Sequence, residues 1–248
     1  MFEAIRLRRA QGSQYIADLR GARPEGFRGR PVIDTKPCAD GCRACQEVCP
    51  TSAIELTPVR LDLGRCVFCN ECALACPEDK IAFGSDPRMS AREPAGLVAH
   101  EGTASSPPVA ASAPLARLFG RSLRMRQVSA GGCNACELEL NALSNVNFDL
   151  QRYGIEWVAS PRHADALVLT GPLTRNMARA VRLAWDAMPD PRLLVTVGAC
   201  AISGGLHATS AALERGLLAD VGPTLYVPGC PPHPLTFANA ILELLARP

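Results

Sequence analysis

The sequence predicts two folded units of different class in one chain: a small α+β unit organised by metal, then a larger α/β unit built on a parallel sheet. Eight cysteines fall between Cys38 and Cys76 in two matching runs, too dense for a segment of that size to be anything but a ligand framework. From about residue 122, short apolar runs alternate with helical patterns. That order builds parallel strands with helices on their faces. Between the two lies a stretch rich in Pro, Ala and Ser without apolar periodicity.

The bulk properties bound the function. A chain of 248 residues suffices for one large or two modest domains, and 48% hydrophobic content supplies a core. A net charge of +2 gives no argument for a nucleic-acid partner. No apolar run approaches the roughly 20 residues of a membrane helix. Arg6, Arg8 and Arg9 lead into no apolar stretch, so no signal peptide is expected. Dense cysteine in a chain kept in a reducing compartment reads as metal ligation rather than disulfides.

Residues 1–30 form a basic arm. Across 1–36 there are eight Lys/Arg against four Asp/Glu. Phe2, Ile5, Arg6, Arg9, Ile16 and Leu19 allow a short mixed-face helix. Two expectations stay open for it: a solvated, poorly ordered arm, or a docking helix for a partner or an anionic membrane surface.

Residues 31–85 hold the first cysteine framework. Cys38-x3-Cys42-x2-Cys45-x3-Cys49-Pro50 is followed by Cys66-x2-Cys69-x2-Cys72-x3-Cys76-Pro77. This is an internal repeat: Cys42, Cys45, Cys49 and Ile54 recur 27 positions later as Cys69, Cys72, Cys76 and Ile81. Each run ends in a short β-like piece, Ala53–Leu56 and Lys80–Phe83. A zinc ribbon would need paired Cys-x2-Cys knuckles rather than four-cysteine runs closed by proline. The segment resembles the bacterial two-cluster ferredoxins along its whole length. In that family the last cysteine of each run ligates the other cluster. The resemblance therefore implies one 4Fe-4S cluster on Cys38, Cys42, Cys45 and Cys76, and a second on Cys66, Cys69, Cys72 and Cys49. The first spacing is one residue longer than usual, and Gly41 is the residue that can absorb it in a bulged turn. Residues 37–85 carry four Lys/Arg against seven Asp/Glu, an acidic balance suited to a basic partner surface.

Residues 86–121 read as a linker. Ser105-Ser106-Pro107-Pro108 stands at its centre, and disorder or an extended path is expected over 86–113. Arg117, Arg121, Arg124 and Arg126 then form a basic approach to the second unit, which spans 122–248.

In that unit the expected strands are Met125–Val128, Ile155–Ala159, Ala166–Leu169, Leu193–Val197 and Thr224–Val227. The expected helices are Glu137–Val146, Arg175–Ala187, Ala208–Ala219 and Pro234–Ala246. Together they describe a flavodoxin-like parallel sheet. Cys133, Cys136, Cys200 and Cys230 each follow an apolar, strand-like run. Four thiols past strand ends converge at one sheet edge, where open α/β sheets place their sites. They read as ligands of a further iron–sulfur cluster. No Gly-x-Gly-x-x-Gly or phosphate-binding loop is present, so no nicotinamide or flavin of its own is expected.

The runs Leu169-Thr170-Gly171-Pro172-Leu173-Thr174, Gly198-Ala199-Cys200-Ala201 and Val227-Pro228-Gly229-Cys230-Pro231-Pro232 carry a second resemblance. Over about 125–245 the chain is similar to the small-subunit family shared by nickel–iron hydrogenases and complex I. That likeness implies a 4Fe-4S cluster on Cys133, Cys136, Cys200 and Cys230, facing a large subunit. Complex I relatives have two adjacent cysteines at the first position, whereas hydrogenase small subunits have the spaced pair found here, Cys133-Asn-Ala-Cys136. The resemblance therefore implies an electron-transfer subunit of a group 4 or formate hydrogenlyase-type hydrogenase. It would carry three 4Fe-4S clusters and sit on the cytoplasmic face of the membrane through partner subunits. No catalytic residue is expected on this chain, hydrogen chemistry belonging to the large subunit. The alternative is a complex I-like module that reduces quinone. Glu137 is a candidate proton relay, or else a helix-start carboxylate held by the dipole. His233, three residues past Cys230, is a candidate for coupling cluster potential to pH, or else a plain surface histidine.

Three complete donor sets imply about twelve irons and twelve sulfides per chain. Under crossed ligation, Cys49→Ser should cost the cluster held by Cys66, Cys69 and Cys72, and Cys76→Ser the other of that pair. Iron analysis and cluster-resolved EPR of the two variants test this. Loss of each run's own cluster would overturn the crossing.

Overall fold

The computed structural model describes residues 2–12, 14–103 and 105–247. Helix α1 (Phe2–Gln11) buries none of its residues. Beyond it the chain is held down. The Ile16 N–H donates to the Asn147 carbonyl at 3.0 Å, and Leu19 is fully buried in the core of the α/β unit. The chain then crosses over: Gly29 N–H donates to Gly84 O at 2.7 Å and Arg30 N–H to Asp86 O at 3.0 Å. The basic arm thus divides into an exposed helix and a packed strap.

The cysteine-rich unit follows as β1 (Pro31–Ile33), α2 (Ala44–Glu47), β2 (Ile54–Glu55), β3 (Arg60–Asp62), α3 (Glu71–Leu74) and β4 (Ile81–Phe83), completed by β5 (Val98–His100). Strand β1 pairs antiparallel with β4, and β2, β3 and β5 form a second antiparallel sheet in that order. Ile33, Ile54, Leu61, Leu63, Ile81, Leu97 and Ala99 pack between these sheets and the thiols.

The second unit contains α4 (Ala113–Phe119), β6 (Leu123–Ser129), α5 (Ala135–Ala142), β7 (Ile155–Trp157), β8 (Ala166–Thr170), α6 (Arg175–Asp186), β9 (Leu193–Val197), α7 (Ala199–Ser203), α8 (Gly216–Val221), β10 (Leu225–Val227) and α9 (Pro234–Leu244). Its five strands are all parallel, in the order β10-β9-β8-β6-β7. Both faces are covered, as all-parallel sheets require. Along β8, Ala166 and Val168 join the core under α9 while Leu167 and Leu169 join the core under α6. After β6 the chain goes to β7 on one side and returns to β8 on the other. The exits of β6 and β8 therefore flank a topological switch point. Helix α9 is buried along its whole length, and its Glu243 carboxylate accepts the Val109 N–H at 2.8 Å.

Two expectations fail. The described residues of 86–121 are not a disordered or free-running linker. They contribute β5, whose Ala99 lies opposite Leu61, and the helix α4. Ala91 exchanges backbone hydrogen bonds with Tyr226 on the edge strand β10, at 3.1 and 2.8 Å, and Val109 is buried. Three-residue contacts of this kind leave no periodic signature, because their partners are distant in sequence. Nor is Ala208–Ala219 one helix. Arg175 N–H donates to Ala212 O and Glu214 N–H to Leu173 O, so residues 212–214 pair with the loop after β8 and the helix starts only at Gly216.

Leu19, Leu97, Val109 and Phe119 anchor the two crossings. Each contributes about 1.5–3 kcal/mol of burial, an upper bound against a partly collapsed denatured state. Limited proteolysis should therefore cut first within 2–12 and spare 86–121 until global unfolding. Early cleavage in 86–121 that released two stable fragments would contradict this packing.

Candidate metal centres

The two cysteine runs face each other. Burial raises the Cys45 thiol, and the nearby thiolates of Cys76, Cys38 and Cys42 raise it further. Burial likewise pushes Cys66 up to about 12, opposed by the Phe68 N–H and reinforced by Cys72, Cys49 and Cys69. Cys72 rises to about 11, by burial first and then by Cys49 and Cys69. In each group the last cysteine of one run stands among three from the other. A small cavity is walled by Cys49, Cys66, Cys69 and Cys72 together with Ile54 and Phe83.

The repeat reproduces local geometry as well as spacing. Ala53 N–H donates to Cys49 Sγ at 3.2 Å, and Lys80 N–H, its repeat equivalent, to Cys76 Sγ at 3.3 Å. Hydrogen bonds of this kind to sulfur set the potential of a bound cluster. The residue before the second cysteine of each run is left-handed: Gly41 at φ 71°, Phe68 at φ 55°. Gly41 adopts this without strain and accommodates the extra residue of the first spacing. Asn70 and Asn134, each inside a Cys-Asn-x-Cys turn, are left-handed at φ 75° and 71°. Asn tolerates that conformation better than most residues, which lets the turn close and a helix start.

The remaining four thiols come from three strand exits, β6 for Cys133 and Cys136, β9 for Cys200 and β10 for Cys230. Burial pushes Cys136 up to about 12, and the charges of Glu137, Cys200, Cys230 and Cys133 add to it. Close approach here depends on Gly198 at the exit of β9. A Cβ there would lie 2.7 Å from Cys136 Sγ. Cys133 and Cys230 are exposed, so the site opens outward, and the exposed Leu138 and Leu206 stand near it in sequence.

Glu137 is buried, and its Oε1 accepts the Thr170 hydroxyl at 2.6 Å. His233 is not a plain surface residue. Its ring lies 5.0 Å from that of Phe27 and 6.0 Å from that of Phe148, and burial lowers its pKa. Its Nδ1 accepts the Leu235 N–H at 3.1 Å, capping α9. Sequence reasoning missed Arg215. Its guanidinium donates to the carbonyls of Pro172, Cys200, Ala201 and Ile202 at 2.8–3.2 Å, tying the loop after β8 to the turn that carries Cys200. Nothing in the Glu-Arg-Gly run around it distinguished it from a surface charge.

The donor sets suit iron–sulfur clusters. Soft sulfur donors, four to a set, with the last cysteine of each repeated run among three of the other, fit polynuclear clusters. Binding would deprotonate them outright, offsetting the burial that raises them.

An iron–sulfur protein of two joined units is the class that this fold and these donors define. Residues 37–80 match the family model of the 4Fe-4S dicluster domain, and residues 133–244 that of the NADH ubiquinone oxidoreductase 20 Kd subunit. The probable membrane-bound hydrogenase subunit mbhJ of Pyrococcus furiosus is 37% identical over 142 residues, covering 54% of this chain and 83% of that one. Formate hydrogenlyase subunit 7 of Escherichia coli is 42% identical over 122 residues, 49% of this chain and 48% of its own length. An NADH-quinone oxidoreductase subunit of Desulfovibrio desulfuricans is 41% identical over 113 residues, 46% of this chain and 61% of that one. The chain belongs to the family of the NADH ubiquinone oxidoreductase 20 Kd subunit, with a 4Fe-4S dicluster unit joined ahead of it.

Removing the Arg215 cation takes a donor from four carbonyls, one on the Pro172 loop and three on the Cys200 turn, of which Cys200 O keeps the Gly204 N–H. Arg215→Met should lower stability by about 2 kcal/mol and reduce iron retention at the Cys200 site selectively. Denaturant melts paired with cluster-resolved EPR measure both. Unchanged occupancy at that site would show that the turn holds itself.

Proposed function

We propose that the chain is the electron-transfer subunit of a membrane-associated, complex I-like nickel–iron hydrogenase of the formate hydrogenlyase type. Three 4Fe-4S clusters are held by Cys38, Cys42, Cys45 and Cys76, by Cys49, Cys66, Cys69 and Cys72, and by Cys133, Cys136, Cys200 and Cys230. The clusters supply one-electron redox chemistry. The chain's own residues hold them in place, exclude water from the buried thiols and present the third site to a large subunit. The second unit is flavodoxin-like, its strand order being 2-1-3-4-5 when counted from its own first strand.

One observation carries this reading: all three donor sets stand within one packed body. Cys45 and Cys72, from the first two sets, pack in one core, and one cavity has both Phe68, from the second set's loop, and Cys230, from the third, in its wall. A series of centres, with exposed thiols at Cys133 and Cys230, suits transfer through the chain to a partner docked over the third site. The exposed Leu138 and Leu206 suit that partner's apolar contact. Among the described residues no helix is long and apolar enough to cross a membrane, so membrane association would run through other subunits.

The spaced pair Cys133-Asn-Ala-Cys136 and the likeness to a membrane-bound hydrogenase subunit favour hydrogen over quinone as the partner's substrate. The test is the native complex, purified anaerobically. Hydrogen should reduce clusters on this chain, and formation of hydrogen should require them. Quinone reduction without any hydrogen turnover would instead establish the complex I-like alternative.

A further inference from the structure

The cavity between the second and third donor sets holds a residue whose backbone is strained. Phe68 occupies the position that the repeat gives to Gly41, and it sits at φ 55°. A bulky residue in that region is an outlier that persists only where its surroundings hold it. Its N–H donates to Cys66 Sγ at 3.3 Å, so its backbone is part of the second donor loop. Its side chain is buried, and it packs edge-on against Phe83 with ring centroids 6.0 Å apart. The same residue lines a cavity of about 230 Å³ whose wall also includes Phe27, Met89, Cys230, Pro231 and Pro232. That volume is what the two rings leave open, enough for several waters, and it would grow if either ring were removed.

Phe27 is fixed in this gap from both sides. It packs against the core of the cysteine-rich unit, while its ring meets His233 at the start of α9. The strap that carries it is anchored to the second unit by the Asn239 side-chain amide, which donates to Leu19 O at 3.1 Å. At its other end the Gly29 and Arg30 backbone bonds tie it to the first. Arg30, nearly fully buried, adds a bond to Ser106 Oγ at 2.6 Å, joining the strap to the second crossing.

We propose that Phe68 and Phe27 are positioning residues for electron transfer between the second and third clusters. They hold the two sites at a fixed separation and narrow the gap between them, which would be wider still without the rings. Electron tunnelling falls steeply with the width of the gap and with voids in it, so packing here governs the rate. This rests on the cluster assignment proposed above. It explains why a strained phenylalanine stands where the other repeat has an unstrained glycine: the first loop faces no third site, and the second does.

The experiment uses the full chain with its clusters assembled. Phe68→Gly removes the ring and relieves the backbone, because glycine adopts this φ freely. Phe27→Ala removes the second ring without touching a donor loop, and Phe68→Tyr is the conservative control. Iron content and the EPR signal of each cluster report assembly. Flash photoreduction followed by rapid freeze-quench EPR reports equilibration between the second and third clusters, and their magnetic coupling reports separation. Phe68→Gly and Phe27→Ala should keep all clusters yet equilibrate about tenfold more slowly with weakened coupling, the order of loss expected when reacting centres shift by under an ångström. Phe68→Tyr should match the wild type. Full assembly with wild-type equilibration in both variants would overturn the inference. So would loss of the second cluster in Phe68→Gly combined with wild-type transfer in Phe27→Ala, because Phe68 would then serve only its own loop. A wild-type chain with iron for fewer than three clusters would instead overturn the functional reading, and this inference with it.

Discussion

Four sulfurs gathered in a buried space repel one another as thiolates and lose hydration as they gather. The thiols of Cys45, Cys66, Cys72, Cys136 and Cys200 show this: all are raised, each first by burial. A fold that arranges such sets depends on cationic iron to hold them, and the free energy of binding becomes free energy of folding. The cysteine-rich unit depends on it most. Its helices α2 and α3 are a single turn each and its strands two or three residues long. Elements that short cannot support themselves by propensity or by ladder hydrogen bonds. The second unit depends on it less, because a five-stranded sheet covered on both faces has a core of its own.

Joining two such units in one chain creates a geometric problem that tethering alone does not solve. A flexible connection supplies effective concentration but no fixed distance. Here the chain crosses between the units twice, through the strap before β1 and through the segment after β4. Both crossings are packed rather than free. Ala91 pairs with the edge strand β10, so the second crossing also covers an otherwise open sheet edge. Gly64 permits close approach of the units: a Cβ there would lie 2.8 Å from Ile202 Cγ2. Side-chain contact thus fixes the separation that connection length leaves undefined.

The parts legible in the sequence were those with a local rule. The starts of β7, β8 and β9 fall at Ile155, Ala166 and Leu193, as read from apolar runs bounded by polar or turn residues. The repeat was legible because duplication writes its period directly into the cysteine spacing. Pairings between distant residues were not legible. β5 is three residues set against β3, and residues 212–214 pair with the loop after β8; neither has a period or a turn signature that a local pattern could expose. Arg215 was hidden for the same reason. Its role comes from four carbonyls that only the folded chain brings together, and an arginine on its own reads as surface charge.

Exposure along the donor sets gives the proposed electron path two ends. Cys38 of the first set is exposed and Cys45 buried, Cys133 and Cys230 of the third are exposed, and the second set pairs the exposed Cys69 with two buried thiols, Cys66 and Cys72. A centre that exchanges electrons with another protein must come near the surface. One that only relays them gains from enclosure, because a dry surrounding preserves its potential and denies it to stray oxidants. On that argument the proposed path would use the second set, which has the most buried thiols, as its relay, and the first and third as its ends. The distribution also accounts for the asymmetry of the repeat. Two loops descended from one pattern share their sulfur hydrogen bonds and their left-handed residue, yet only the second, whose set has two buried thiols, carries an aromatic ring at that residue. The first keeps the glycine.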